Sequence, residues 1–530
     1  MAAERARLII ADRAHTLTAA VGTLAPVAIL VRDGHVEAIG SPAAIRAGSP
    51  GVAVLDLSGT TLTPGLTDSH IHLTEWALAR RDIDLSAADR PEAVAAAVGA
   101  HLVSVRDGWV RGRGWNPHHW GGDLPDRVVL DQHTGSRPVA LQSHDMHALW
   151  VNGEALRLAG IDDGTPDPAG GRIVRDAAGR ATGVLLDYAA QLVTSVLPQP
   201  TESGTAAAVL EAQAILHAWG ITGVHTLPAI HIAEPEPFGL LDRLRRDRQL
   251  ALRVLQHIPI ERLDAAIAEG MKSGQGHDLV RVGAVKMFLD GALGSRTAWM
   301  CEPYEGTDST GIRVLEPAAF HENVERAARA GIASVVHAIG DAAVDLAFRV
   351  LGDPSLRVPA MAHRIEHVQC CPAHRIADAG LLGVTCSMQP SHLRTDWRIA
   401  DRFWGADRAS RTYAFRSLLM AGARLVFGSD APVESADPRL GLHAAVTRTD
   451  ADGNPPGGWF SSEALTIEEA LAGYTRHPAV AAGWGGGSIR RGAPADFAAW
   501  RSDPLAVEPN GLLDLDCVAA IVDGDIVHSA

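Results

Sequence analysis

The feature that most constrains this chain is an alternation running from about residue 63 to residue 481. Short apolar runs at 221–225, 282–287, 333–337, 364–368 and 424–427 are separated by alanine-rich stretches such as 205–218, 321–330 and 341–350. The runs have strand length, and the stretches carry apolar residues at helical spacing. Strands that alternate with helices build a parallel sheet, because each helix carries the chain back to the same end. The number of units favours closure into a (β/α)8 TIM-like barrel, an α/β fold.

Both ends of the chain read differently. Residues 27–31 (VAILV), then Arg32-Asp33-Gly34, then 35–39 form a run, a turn and a run with hairpin character. Two further runs, 53–57 and 60–63, are separated by Ser58-Gly59. Near the other end, 495–500, 518–522 and 526–528 repeat the pattern around Asp523-Gly524-Asp525. The expectation is a small β-sandwich domain built from residues 1–62 and 482–530, flanking a barrel over 63–481. Residues 80–190 or so break the barrel rhythm with Gly/Trp-rich and Asp/Gly-rich pieces, including 170–176 and 183–185. They read as an inserted α+β segment with its own sheet.

Composition narrows the function classes. The net charge of -15, from 62 acidic and 47 basic residues, opposes the clustered basic face that nucleic acid requires. The five cysteines (Cys301, Cys370, Cys371, Cys386 and Cys517) include no CxxC pair. That pattern suits neither a disulfide framework nor a cysteine zinc site, and it fits a reducing cytoplasm. The opening residues, MAAERARLIIADRAHTL, interrupt their apolar run too early for a signal peptide. No stretch approaches the roughly 20 apolar residues that cross a bilayer. A cytoplasmic protein with a small-molecule substrate, no membrane partner and no nucleic acid is expected. A homodimer is the commonest assembly of soluble oligomers.

Candidate chemistry begins at Pro64-Gly65-Leu66-Thr67-Asp68-Ser69-His70-Ile71-His72. His-x-His on a strand puts both imidazoles on one face, because side chains alternate with period two. Chance can supply such a pair in a chain of 24 histidines, and His118-His119 shows how easily they cluster. Four later residues strengthen it. Lys286 lies inside an apolar strand, where a cation is costly unless paired, with Asp290 as the simple alternative partner. His337 and His367 end apolar runs, and Asp430 follows another, where a carboxylate also commonly caps a helix. Barrel active sites lie at the strands' C-terminal ends, so four histidines, a lysine and an aspartate there point to a metal site.

In these motifs the chain resembles the amidohydrolase superfamily, and within it the YtcJ-like branch that includes N-substituted formamide deformylases. The resemblance covers nearly the whole chain. It rests on 64–72, 285–291 with 295–298, 336–341, 366–369, 428–433, and Gly487-Ser488-Ile489 with Gly492 and Ala495-Asp496-Phe497; Gly114-Trp115 and 145–152 (DMHALWVN) are similar too. It implies that His70 and His72 bind the more buried metal and that Lys286 is carbamylated to bridge two metals. His337 and His367 then hold the second metal, and Asp430 both ligates and acts as catalytic base. With Lys286 unmodified, a one-metal site of His70, His72, Asp430 and one more histidine is the alternative. Zinc suits this donor set, with one or two ions, although other divalent metals fit as well.

The implied activity is hydrolysis of a non-peptide amide C–N bond, such as an N-substituted formamide, by metal-activated hydroxide. Hydrolysis of a cyclic amide or lactone on the same site is one alternative. A non-catalytic interaction protein on this scaffold is the alternative of another class. His144, His147, Trp115 and Arg296 are substrate-binding candidates; structural pairing of the two histidines and core packing of Trp115 are the competing readings.

Overall fold

The computed structural model describes residues 6–18, 22–104, 108–168, 170–229 and 237–530. The first five residues of the stretch weighed above as a signal peptide lie outside the described residues. Eight parallel strands form the barrel: β1 (Leu66–Ile71), β2 (Ile221–Thr226), β3 (Arg253–Pro259), β4 (Val280–Phe288), β5 (Ser334–Ala338), β6 (Arg364–His367), β7 (Thr385–Met388) and β8 (Arg424–Phe427). They hydrogen-bond in sequential order.

The ring closes at its mouth and not along the length of β1 and β8. His70 O accepts the Asp430 N–H at 2.6 Å, and the His72 N–H donates to Ala431 O at 2.9 Å. Barrel closure therefore uses the backbone of the same residues that head the candidate site. Helices such as Glu202–Ala218, Pro317–Arg329 and Asp341–Leu351 pack outside. Capping side chains start many of them; Thr201 Oγ1 accepts the Gly204 N–H, for example.

Both termini enter one hydrogen-bonded sheet, in the spatial order Asp525–Ser529, Cys517–Val522, Phe497–Trp500, Ala53–Pro64, Ala6–His15, Val27–Arg32 and His35–Gly40. The β-sandwich expected from both termini is formed by a single sheet that folds over on itself. A bridge from His35 to Pro494 links its far edge back, and Ile9, Ile29, Val36, Phe497 and Ile521 fill the space between its halves. The runs 53–57 and 60–63 are likewise one strand. Ser58-Gly59 does not turn the chain; it shifts the register between the pairs Ala11–Leu57 and Arg13–Thr61, as a bulge does. Arg253 on β3 ties the sheet to the barrel through ion pairs to Asp496 and Asp523.

Between β1 and β2 lies a separate six-stranded sheet, ordered Gly171–Arg175, Ala181–Asp187, Ala148–Val151, Val139–Ser143, Val110–Trp115 and Ile83–Asp84. It matches the expected insertion. Its turn at 144–147 projects over the barrel mouth and lines the cavity there. No helix among the described residues is long and apolar enough to cross a membrane. All five cysteines are free thiols.

Candidate metal centre

At the barrel mouth, ligand atoms of His70, His367 and Asp430 all lie within 4.8 Å of one another, and all three residues are buried. His70 Nε2 is 2.9 Å and His72 Nε2 3.4 Å from Asp430 Oδ1. Ring centroids separate His70 from His367 by 5.1 Å and His367 from His337 by 4.5 Å. Each imidazole is aimed from behind. His70 Nδ1 is 2.5 Å from Glu366 Oε2, and His72 Nδ1 is 2.6 Å from Pro228 O. Because carboxylates and carbonyls accept, both Nδ1 atoms carry protons, and both Nε2 atoms face Asp430. His337 is turned the other way: Nε2 donates to Gly291 O at 3.1 Å, which frees Nδ1.

Asp430 reaches the site on strained backbone. Its φ is 62°, and those of His367 and Val368 are 73° and 46°, a region non-glycine residues keep where neighbours over-determine it. Asp68 supplies that constraint for Asp430: Oδ1 accepts the Ser429 and His70 N–H groups, and Oδ2 accepts Ser429 Oγ at 2.6 Å. Gly428 permits the approach, since a Cβ there would lie 2.3 Å from His70 N and 2.7 Å from Asp68 Oδ1. Gly428→Ala is expected to cost about 1–3 kcal/mol of stability and to weaken metal binding. Thermal unfolding with and without chelator measures both.

The electrostatics suit a cation. Burial, opposed by the His70 charge, would raise Asp430, yet its carboxyl is held well below the usual range by His70 and His72. Glu366 is held low against burial by Arg364 and His70. His70 is raised because Asp430 and Glu366 outweigh its burial, so in this structure a proton balances the two carboxylates. Burial pushes His337 down to about 3 and lowers His367 strongly, leaving both neutral, as metal ligands must be. This donor set fits a divalent cation with nitrogen and oxygen ligands.

Lys286 does not pair with Asp290. Asp290 accepts the N–H groups of Ile339, Gly340 and Trp299. The Lys286 ammonium lies 4.6 Å from the Phe288 ring centroid, with no hydrogen bond or ion pair engaging it among the described residues. Burial lowers it to about 8. Lys286, His72 and His337 line the same cavity but stand outside the tight three-residue cluster.

The cavity measures about 640 Å³ and includes His144, His147, Trp115 and Arg296 in its wall. Trp115 lines the cavity but is fully buried, donates Nε1–H to Leu141 O at 2.8 Å, stacks on Trp120 and belongs to the core of the insertion. Arg296 is exposed, its guanidinium 5.1 Å from the Phe403 ring centroid. His144 Nε2 is 3.5 Å from Glu434 Oε1; burial opposes its protonation, but Glu434 lifts it to about 9. Two further site residues escaped sequence reasoning. Glu366 was visible only as part of a motif, and His392 places Nε2 3.6 Å from Asp430 Oδ2.

A parallel eight-stranded barrel with histidines and an aspartate gathered at its mouth defines the class of metal-dependent hydrolases. The sequence model described as "Amidohydrolase family" matches residues 53–528, and the chain belongs to that family. The YtcJ protein of Bacillus subtilis (strain 168) is 31% identical over 516 residues, covering 94% of this chain and 96% of its own. The N-substituted formamide deformylase of Arthrobacter pascens is 29% identical, covering 94% of each. Among solved structures, an uncharacterized metal-dependent hydrolase from Pyrococcus horikoshii OT3 is similar, with a TM-score of 0.78 and 26% identity, covering 95% of this chain and 99% of the other.

Proposed function

We propose that the protein hydrolyses a non-peptide amide C–N bond of a small molecule, with N-substituted formamides as the first class to try. The observation that carries this reading is the buried convergence of His70, His367 and Asp430, with His72 3.4 Å from the same carboxylate, inside a cavity of about 640 Å³. That volume suits a small-molecule ligand. A relative named for formamide deformylation supports the substrate class.

His70, His72 and Asp430 would hold one metal, with His337 and His367 holding a second; zinc fits the set. When bound, the metal acidifies water and polarises a carbonyl. Asp430 takes the proton of the attacking water as the water oxygen bonds to the carbonyl carbon. It then returns that proton to the leaving nitrogen as the C–N bond breaks. Glu366 and the Pro228 carbonyl keep His70 and His72 in the tautomer that presents Nε2. Carbamylation of Lys286, which would turn this buried cation into a carboxylate able to hold metal, is supported by its burial without a hydrogen bond or ion pair among the described residues; carbon-13 NMR after incubation with labelled bicarbonate tests it.

The functional test is a screen of N-formyl amines, N-acyl amino acids and lactones with protein reconstituted in turn with zinc, manganese, iron and cobalt. Turnover of formamides or other amides, lost on chelation and restored by metal, is the expected outcome. Activity confined to lactones would replace the amide reading. No turnover and no chelator effect would favour a non-catalytic role.

A further inference from the structure

His147 is left unused by this reading, yet it is built into the site as firmly as the ligands. It lies in the turn between Val139–Ser143 and Ala148–Val151, in the wall of the cavity that holds His70 and Asp430. Its backbone N–H donates to Asp145 Oδ1 at 3.1 Å, an oxygen that also accepts Ser143 Oγ at 2.7 Å. Its carbonyl accepts the Asp187 N–H at 2.9 Å. Its Nδ1 lies 2.8 Å from Asp187 Oδ1. Met146 and Asp187 both have positive φ, 64° and 50°, a conformation L side chains rarely adopt and one that clusters at functional sites.

The bond to Asp187 fixes which ring nitrogen is available. A carboxylate only accepts, so Nδ1 is the donor and Nε2 is the nitrogen left for the cavity. No other hydrogen bond engages the ring among the described residues, and the side chain is 26% exposed. The charged and titratable groups around it come from four elements besides its own turn, which supplies Asp145. Asp187 ends the neighbouring strand, Asp290 follows β4, His337 lies on β5 and Asp430 follows β8. Burial opposes protonation of His147, but the hydrogen bond to Asp187 and the charges of Asp145, Asp187 and Asp430 raise it above the ordinary histidine range.

We propose that His147 is a further catalytic residue: oriented by Asp187, its Nε2–H donates a hydrogen bond to the oxygen of the scissile carbonyl and to the oxyanion which that oxygen becomes. The inference rests on the amide-hydrolase reading of the site. The proton stays on His147 throughout, and Asp430 carries the only proton transferred. A donor fixed in advance where charge develops contributes about 10²–10³ to turnover. The turn that carries His147 belongs to the insertion, so the insertion completes the active site and does more than roof it.

The test compares His147→Ala, His147→Gln and Asp187→Asn with wild type, as full-length, metal-loaded protein acting on the fastest N-formyl amine of the screen. Nitrogen-15 NMR of the histidine rings and metal content are read in parallel. Expected for His147→Ala is a fall of about 10²–10³ in kcat, with KM, metal content and Tm little changed. Gln, whose amide can donate from near the Nε2 position, should restore about tenfold or more of that loss. The proposal requires both ring protons on His147 in the active form, so activity should decline as pH rises through its pKa, which is raised above the ordinary histidine value. Asp187→Asn should bring that decline to lower pH. Turnover by His147→Ala close to wild type, or a loss confined to KM or Tm, overturns the proposal and reduces the His147–Asp187 pair to a fastening of the turn. A wild type inactive on every compound of the screen removes the parent reading first, and this inference with it.

Discussion

Asp430→Asn is expected to lower turnover by about 10²–10⁴, the range of a positioned general base, while much of the bound metal remains. Asparagine keeps the shape and one oxygen acceptor but cannot take a proton. The surroundings of Asp430 make the substitution specific. Its backbone N–H donates to His70 O, and the neighbouring Ser429 is held by Asp68, so the loop should stay in place when the side chain changes. Steady-state kinetics with metal analysis of the same sample measures both quantities. Undiminished activity would remove Asp430 from the proton transfers; loss of activity only in proportion to lost metal would reduce it to a ligand.

Glu366→Gln is expected to have the largest effect on stability. Glu366 is fully buried between Arg364, whose Nε donates to it, and His70. Arg364 also reaches His225 Nδ1 at 2.9 Å across the barrel and the carbonyl of Ser69. Removing the carboxylate leaves a buried guanidinium without its anion, a defect of about 3–5 kcal/mol. It also frees the His70 ring, and loss of such an orienting partner typically lowers metal affinity 10–100-fold. Urea unfolding of the metal-free protein and competitive zinc titration separate the two. An unchanged unfolding midpoint would mean that Arg364 is satisfied some other way.

Much of the architecture could be read from the chain because it is written in local period. Apolar runs of strand length and helices at 3.6-residue spacing gave the barrel, and His70-x-His72 gave the face that a metal would use. Two barrel strands carried weaker signals. β7 is four residues long and contains Cys386 and Ser387, and β3 contains Gln256 and His257, so polar residues interrupt the apolar runs by which the other strands are read. The single folded sheet of the termini was not legible either, since Ser58-Gly59 looks like a turn until its parallel partner at Ala11–Arg13 absorbs the shift. Partnerships across long separations were the least visible. Glu366 meets His70 296 residues away, and no local pattern marks a carboxylate as the support of a distant imidazole. His392 follows the four-residue strand β7 through a brief turn, Pro390–His392, and nothing in its spacing sets it apart from the other histidines.

The most direct test of the central claim is anomalous diffraction from crystals of the zinc-loaded protein, collected on both sides of the zinc edge. An anomalous peak bounded by His70 Nε2, His72 Nε2 and an Asp430 oxygen is expected, with a second peak toward His337 and His367 if Lys286 is carbamylated. A protein that binds zinc only elsewhere, or leaves this cluster empty at saturating zinc, would contradict it.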